Sequence, residues 1–168
     1  MFLQNCIRQL KSQTLQPVET LIVSEAPVDD NKDLTRRYRI GYDHMRRKNL
    51  DVIALIEDDD FYAPEYLETM VGEWVKEGRP NLFGTIYTIY YNLRFSAWLT
   101  FHHHTRSSAM STLIAPDMNF KWCDDHEPYF DIYIWNLLRG QGKLFRPEKH
   151  ICLGIKHRGA LWWHVPYG

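Results

Sequence analysis

The chain lacks the marks of several common protein classes. Its three cysteines, Cys6, Cys123 and Cys152, are widely separated with no C-x-x-C pair, so neither a zinc cage nor a disulfide framework is signalled. A sparse, odd set of thiols suits a reducing compartment, and a cytoplasmic location is expected. No apolar run approaches the ~20 residues that span a bilayer, so no transmembrane segment is expected. The amino terminus reads as the start of a helix without a basic-then-apolar leader. There is no G-x-S-x-G and no G-x-x-x-x-G-K-[ST], which leaves serine-hydrolase and P-loop chemistry without a motif. A net charge of −1 gives no field directed at nucleic acid or an anionic membrane, and no nucleic-acid partner is expected. Repeats, low-complexity stretches and linkers are absent, and 168 residues fit one domain.

Aromatic residues are plentiful instead, at 14% with six Trp and ten Tyr. They fit either a large core or a cleft for flat rings and sugars. Apolar periodicity alternates between helix and strand. Phe2, Leu3, Cys6, Ile7 and Leu10 share a helical face, and residues 19–24 (ETLIVS) read as a buried strand. A helix is expected over residues 34–48, and residues 51–56 (DVIALI) read as a strand covered on both faces. Pro64 and Glu65 open a helix carrying Tyr66, Leu67, Met70, Val71, Trp74 and Val75, which Gly78 and Pro80 end. Strand patterns follow over residues 82–93, 95–101 and 109–115. A helix over residues 128–139 stops at Gly140, and residues 144–145 and 151–155 close the fold as strands. Such alternation predicts a largely parallel sheet, with ligands bound beyond the carboxyl ends of its strands.

Two of those ends are acidic, after Ser24 and after Ile56. Glu57-Asp58-Asp59-Asp60 places four carboxylates at the exit of an apolar strand, where mutual repulsion is costly. A divalent cation relieves it, and oxygen ligands suit Mg²⁺ or Mn²⁺ held together with substrate phosphates. The alternative is an acidic loop leading into the next helix. An EF-hand is excluded, because its glycine and terminal Glu are missing. The basic residues Arg36, Arg37, Arg39, Arg46, Arg47 and Lys48 read as a solvated helix face, with Arg36 kept as a candidate phosphate contact. His102-His103-His104 reads as strand surface or an acceptor-side wall, since no zinc-type partner lies nearby.

The stretch from Arg36 through Asp60 to Pro64 resembles the core of the family 2-like GT-A glycosyltransferases, which carry a D-x-D motif after a strand. The resemblance implies a GT-A (Rossmann-like nucleotide-binding) α/β fold, a three-layer α/β/α sandwich with a mixed, mainly parallel central sheet. It spans residues 1–168 as a single domain, without the family's usual first strand. It makes Asp60 the direct metal ligand, with Asp58 or Asp59 on the ribose or sharing the metal. Glu25 stands where the family places an acidic base-binding residue. The run from Phe130 to Leu144 resembles the family's E-D motif, with Phe130 in place of Glu and Asp131 matching the Asp. In inverting members that Asp is the general base, and Asp124, Asp125 and Glu127 are rivals for the role. A helix-dipole role is the plainer reading of Asp131. His157, after the last strand, resembles the family's late metal-binding His, and Lys156 and Arg158 could meet a diphosphate. Trp162, Trp163 and His164 lie where family members often have a loop over the donor. The resemblance thus implies a hexosyltransferase-type enzyme using a nucleoside diphosphate sugar donor, a carbohydrate, glycan or other hydroxyl acceptor, and Mn²⁺ or Mg²⁺. A sugar nucleotidyltransferase and a non-catalytic carbohydrate-binding domain of the same fold are the alternatives.

Overall fold

Two groups of apolar side chains, one on each face of a small sheet, organise the chain. The computed structural model describes residues 2–24 and 33–157. In chain order its elements are α1 (Phe2–Lys11), α2 (Leu34–Met45), β1 (Ile53–Ala54), β2 (Phe61–Tyr62), α3 (Tyr66–Lys76), β3 (Leu82–Thr85), β4 (Tyr87–Asn92), β5 (Ala97–His102), a 3₁₀ turn (Ala109–Ser111), β6 (Thr112–Ile114), α4 (Phe130–Leu137), β7 (Gly142–Phe145) and β8 (Cys152–Lys156). The strands form two four-stranded sheets, ordered β1-β6-β3-β7 and β2-β8-β4-β5. No described helix is long and apolar enough to cross a membrane.

The first sheet shows why its strands read as continuous apolar runs. Leu82 and Ile114 face a cluster with Tyr42 of α2 and Phe130, Ile134 and Trp135 of α4. Their neighbours Phe83 and Leu113 face the opposite cluster, with Tyr66, Leu67, Met70 and Trp74 of α3. Successive side chains point to opposite sides of a strand, so both faces must be apolar when helices cover both. The α3 helix ends as its sequence dictates. Gly78 takes φ +83, Arg79 N–H bonds Trp74 O at 2.9 Å and Gly78 N–H bonds Val75 O at 3.0 Å. Glycine reaches that left-handed backbone without steric cost. Glu65 occupies the N-cap position, so Pro64 stands one residue before it rather than inside the first turn.

Two expectations are corrected. The architecture is mixed α/β, but the sheets are not mainly parallel. Only β3–β7 and β4–β8 run parallel, whereas β1–β6, β3–β6, β2–β8 and β4–β5 are antiparallel. An apolar run reports burial on two faces and says nothing of direction; β6, fully buried and antiparallel to both neighbours, reads the same as a parallel strand. Residues 19–24 form no strand. Leu21 and Ile22 are exposed, and no described strand lies alongside them to complete a ladder.

Close packing distinguishes two glycines. A Cβ on Gly84 of β3 would meet Ser107 Cβ at 2.3 Å and the Ser111 carbonyl at 2.8 Å, whereas one on Gly72 of α3 would meet nothing within 4 Å. Gly84→Ala should therefore destabilise the chain by about 1–3 kcal/mol through overpacking. Gly72→Ala should stabilise it by about 0.5–1 kcal/mol by removing backbone freedom from the unfolded helix. Urea denaturation of the two variants checks the opposite signs.

Candidate metal centre

The acidic run lies where the chain leaves one sheet for the other. Beyond β1, Leu55 N–H still donates to Thr112 O at 3.1 Å, so pairing with β6 persists to the mouth of the loop. The chain turns through Glu57 to Asp60 and enters β2, which pairs with β8 in the second sheet. Glu57 and Asp59 are partly buried, Asp60 is 2% exposed and Asp58 faces solvent.

The loop is held from several directions. Glu57 N–H donates to Tyr62 Oη at 2.8 Å, and Tyr38 Oη donates to Glu57 Oε1 at 3.0 Å. Asp60 Oδ1 accepts from Ile155 N–H at 2.8 Å. Its other oxygen, Oδ2, is buried without a hydrogen-bond partner. A buried carboxylate oxygen left in this way is costly. Among the described residues, Glu57, Asp59 and Asp60 bring one ligand atom each within 4.8 Å of one another. These hard oxygen donors fit Mg²⁺ or Mn²⁺, and the orphaned Asp60 Oδ2 supplies the position such an ion would satisfy.

Electrostatics agree with the geometry. Burial, reinforced by the Glu57 and Asp59 charges, pushes the Asp60 carboxyl well above its ordinary pKa, while Lys156 opposes the shift. Burial also raises Glu57, with Lys156 again opposing and Asp59 adding to the rise. His157 Nε2 lies 2.9 Å from Asp59 Oδ2, and the Phe2 ring stacks on His157 at 4.9 Å between centroids. The late His thus comes to the acidic loop, although it is half-exposed and bonded to Asp59.

Asp131, in the first turn of α4, pairs with Arg106 at 2.6 Å and keeps only 16% side-chain exposure. Burial raises its pKa and Arg106 lowers it. Its charge in turn raises Glu57, which places it in the electrostatic field of the acidic loop. Its sequence rivals are otherwise engaged. Asp125 makes a bidentate pair with Arg39 at 2.9 and 2.6 Å, Asp124 accepts from His126 N–H, and Glu127 accepts from Tyr129 N–H. Arg36 is partly buried on α2, and its charge helps hold Asp125 low. Glu25, Arg158, Trp162, Trp163 and His164 lie outside the described residues. In the histidine run, His103 Nε2 lies 2.8 Å from Thr88 Oγ1, and burial takes its pKa down to about 4.

No family model matches the chain. A Bacillus subtilis (strain 168) protein named "Putative glycosyltransferase EpsH" is 25% identical over 88 residues, covering 42% of this chain and 26% of that protein. The chain therefore spans about a quarter of the relative's length. That similarity points to a glycosyltransferase relationship.

The family resemblance gives Asp58, Asp59 and Asp60 roles and none to Glu57, yet Glu57 is partly buried where Asp58 is exposed. A turn explains this. Asp58 and Asp59 are turn residues, and the turn closes with Asp60 N–H on Glu57 O at 3.5 Å, leaving Asp58 outside and Asp60 beside Glu57 and Asp59. Arg106 and Tyr38 were not foreseen, because each reaches its carboxylate across a long stretch of chain. Gln9, which donates to Asp60 O at 3.1 Å, carried one faint signal: an amide on the buried stripe of α1.

The raised Asp60 pKa fixes a pH dependence. A carboxyl raised in the folded state holds its proton there at pH values where the unfolded chain has lost it, so stability falls as pH rises above the ordinary value of 3.8. The metal-free Asp60→Asn variant should therefore be more stable than the parent at pH 8, with the advantage shrinking toward pH 4. Mn²⁺ should reverse the order at pH 8. Thermal melts at the two pH values, with and without Mn²⁺, provide the comparison; a parent no less stable at pH 8 than the variant refutes the assignment.

Proposed function

We propose that this chain is the catalytic domain of a metal-dependent glycosyltransferase, moving a sugar from a nucleoside diphosphate sugar to an acceptor hydroxyl. The observation that carries the reading is the buried Asp60, whose Oδ2 has no hydrogen-bond partner and whose carboxylate clusters with those of Glu57 and Asp59. The partial similarity to a protein named as a glycosyltransferase supports the same class.

In this reading Asp60, Glu57 and Asp59 hold Mn²⁺ or Mg²⁺, and His157 fixes Asp59 or joins it as a ligand. The ion supplies Lewis-acid stabilisation of the charge on a departing nucleoside diphosphate. Arg36, Glu25 and Asp58 contact the nucleotide sugar, and Lys156 offers a positive charge to the phosphates.

Asp131 performs the proton transfer. Its carboxylate takes the proton from the acceptor hydroxyl as that oxygen attacks the anomeric carbon. The bond from that carbon to the phosphate oxygen breaks, its electron pair leaves with the nucleoside diphosphate, and configuration inverts. Partial burial suits this work because it raises basicity toward working pH. Arg106, at 2.6 Å, counters part of that burial and holds the side chain in place.

Two substitutions separate the roles. Asp60→Ala should abolish the Mn²⁺-dependent rise in melting temperature that a nucleoside diphosphate sugar produces in the parent. Asp131→Asn should retain that rise and lose about 10²–10⁴-fold in transfer rate. Scanning fluorimetry over a panel of donors, followed by assays of nucleoside diphosphate release, makes the measurement. Undiminished transfer by Asp131→Asn removes it as the base, and a parent indifferent to every donor with Mn²⁺ removes the function.

A further inference from the structure

Gln9 on α1 and Gln13, just beyond the end of that helix, reach the backbone that carries and follows the candidate metal ligand. Gln9 and Gln13 are 9% and 4% exposed. Gln13 lies past the helix end, its N–H donating to Leu10 O at 3.3 Å. Gln9 Nε2 donates to Asp60 O at 3.1 Å, and Gln9 Oε1 accepts from Tyr62 N–H at 2.6 Å. Gln13 repeats the pattern further along, with Nε2 donating to Ala63 O at 2.8 Å and Oε1 accepting from Leu67 N–H at 2.9 Å. Each amide therefore satisfies one carbonyl and one N–H of the segment, as a neighbouring strand would. β2 is only two residues long and pairs with β8 on one side; Gln9 holds the main chain that enters it.

We infer that Gln9 is a positioning residue for metal binding, fixing the Asp60 main chain so that its carboxylate presents Oδ2 to Glu57 and Asp59. The inference rests on the metal site proposed above and adds α1 as the element that sets it. Asp60 is then restrained at two places. Ile155 N–H fixes Oδ1 of the side chain, and Gln9 fixes the carbonyl. With both in place the carboxylate has little freedom to turn Oδ2 out of the cluster. Without Gln9, Asp60 O and Tyr62 N–H lose their amide partner and the peptides are free to rotate toward others. Partners that orient metal ligands typically contribute about 10–100-fold to metal affinity. Phe2, stacked on His157, gives the same helix a second contact with the site.

Gln13 provides an internal control. It is as buried as Gln9 and bonds Ala63 and Leu67, beyond the acidic loop, and its Nε2 also donates to Gln9 O at 3.3 Å without touching Asp60. The test is Mn²⁺ titration of the whole chain, read as free Mn²⁺ by electron paramagnetic resonance, with thermal melts in parallel. Gln9→Leu and Gln13→Leu should both lower the melting temperature. Gln9→Leu should weaken Mn²⁺ binding about 10–100-fold, and Gln13→Leu should leave it within about twofold of the parent, less than the span expected of an orienting partner. Equal weakening by both, or parent-like affinity in Gln9→Leu, overturns the inference and leaves the metal site standing. A parent that binds no Mn²⁺ overturns the site and the inference together. If Gln9→Leu does not fold, Gln9→Asn keeps an amide of shorter reach and must still bind Mn²⁺ more weakly than Gln13→Leu.

Discussion

A carboxylate removed from water needs a hydrogen bond for each oxygen, a counter-charge or a proton, and the surroundings of Asp60 are arranged around that requirement. One oxygen is satisfied by a backbone N–H of β8 and the other is not. Glu57 and Asp59 add like charge, and Lys156 answers only part of it. The loop is nevertheless pinned by Tyr38, Tyr62, Gln9 and His157. Bonds that hold like charges together work against local stability, a cost that the proposed cation would relieve. Such a cost is common where binding or catalysis fixes the geometry.

The position of the loop follows from the topology. β1 belongs to the first sheet and β2 to the second, so the segment between them must cross from one to the other. β8 reaches the same place at its carboxyl end, bringing Ile155, Lys156 and His157. Asp131 arrives on α4, which packs beneath the first sheet through Phe130, Ile134 and Trp135. The candidate groups therefore come from segments about a hundred residues apart and meet only when both sheets have formed. In the unfolded chain the same carboxylates are solvated and repel one another weakly, so the electrostatic cost is created by folding itself.

Helices were legible in the sequence because their signals are local. The stripe from Tyr66 to Val75 with Gly78 behind it, and the stripe in α2, needed no tertiary information. Strand positions were legible for the same reason, but strand direction was not, since β6 runs antiparallel with the composition of a parallel strand. Residues 19–24 misled because β propensity measures fit to a pleated neighbour, and no described strand lies beside them. The acidic loop was found from its carboxylates alone. Which of them face inward depended on a turn that the run itself does not specify. Arg106, Tyr38 and Gln9 were hidden by sequence distance, each joined to the site by a bond spanning about twenty to fifty residues.

The contrast between Asp60 and Asp131 explains how one chain can support two different tasks for the same side-chain type. Both are shielded from water, which alone would raise each pKa. Asp60 has further carboxylates beside it that add to the rise caused by burial, and the proposed cation would favour its ionised form. Asp131 has a guanidinium at 2.6 Å, which opposes part of the rise that burial causes. The first environment suits a ligand whose charge is matched by what it binds. The second suits a group whose basicity is raised by burial while a fixed cation holds it in place. That division of environments, rather than the mere presence of two aspartates, is what supports giving the acidic loop and α4 different parts in the proposed reaction.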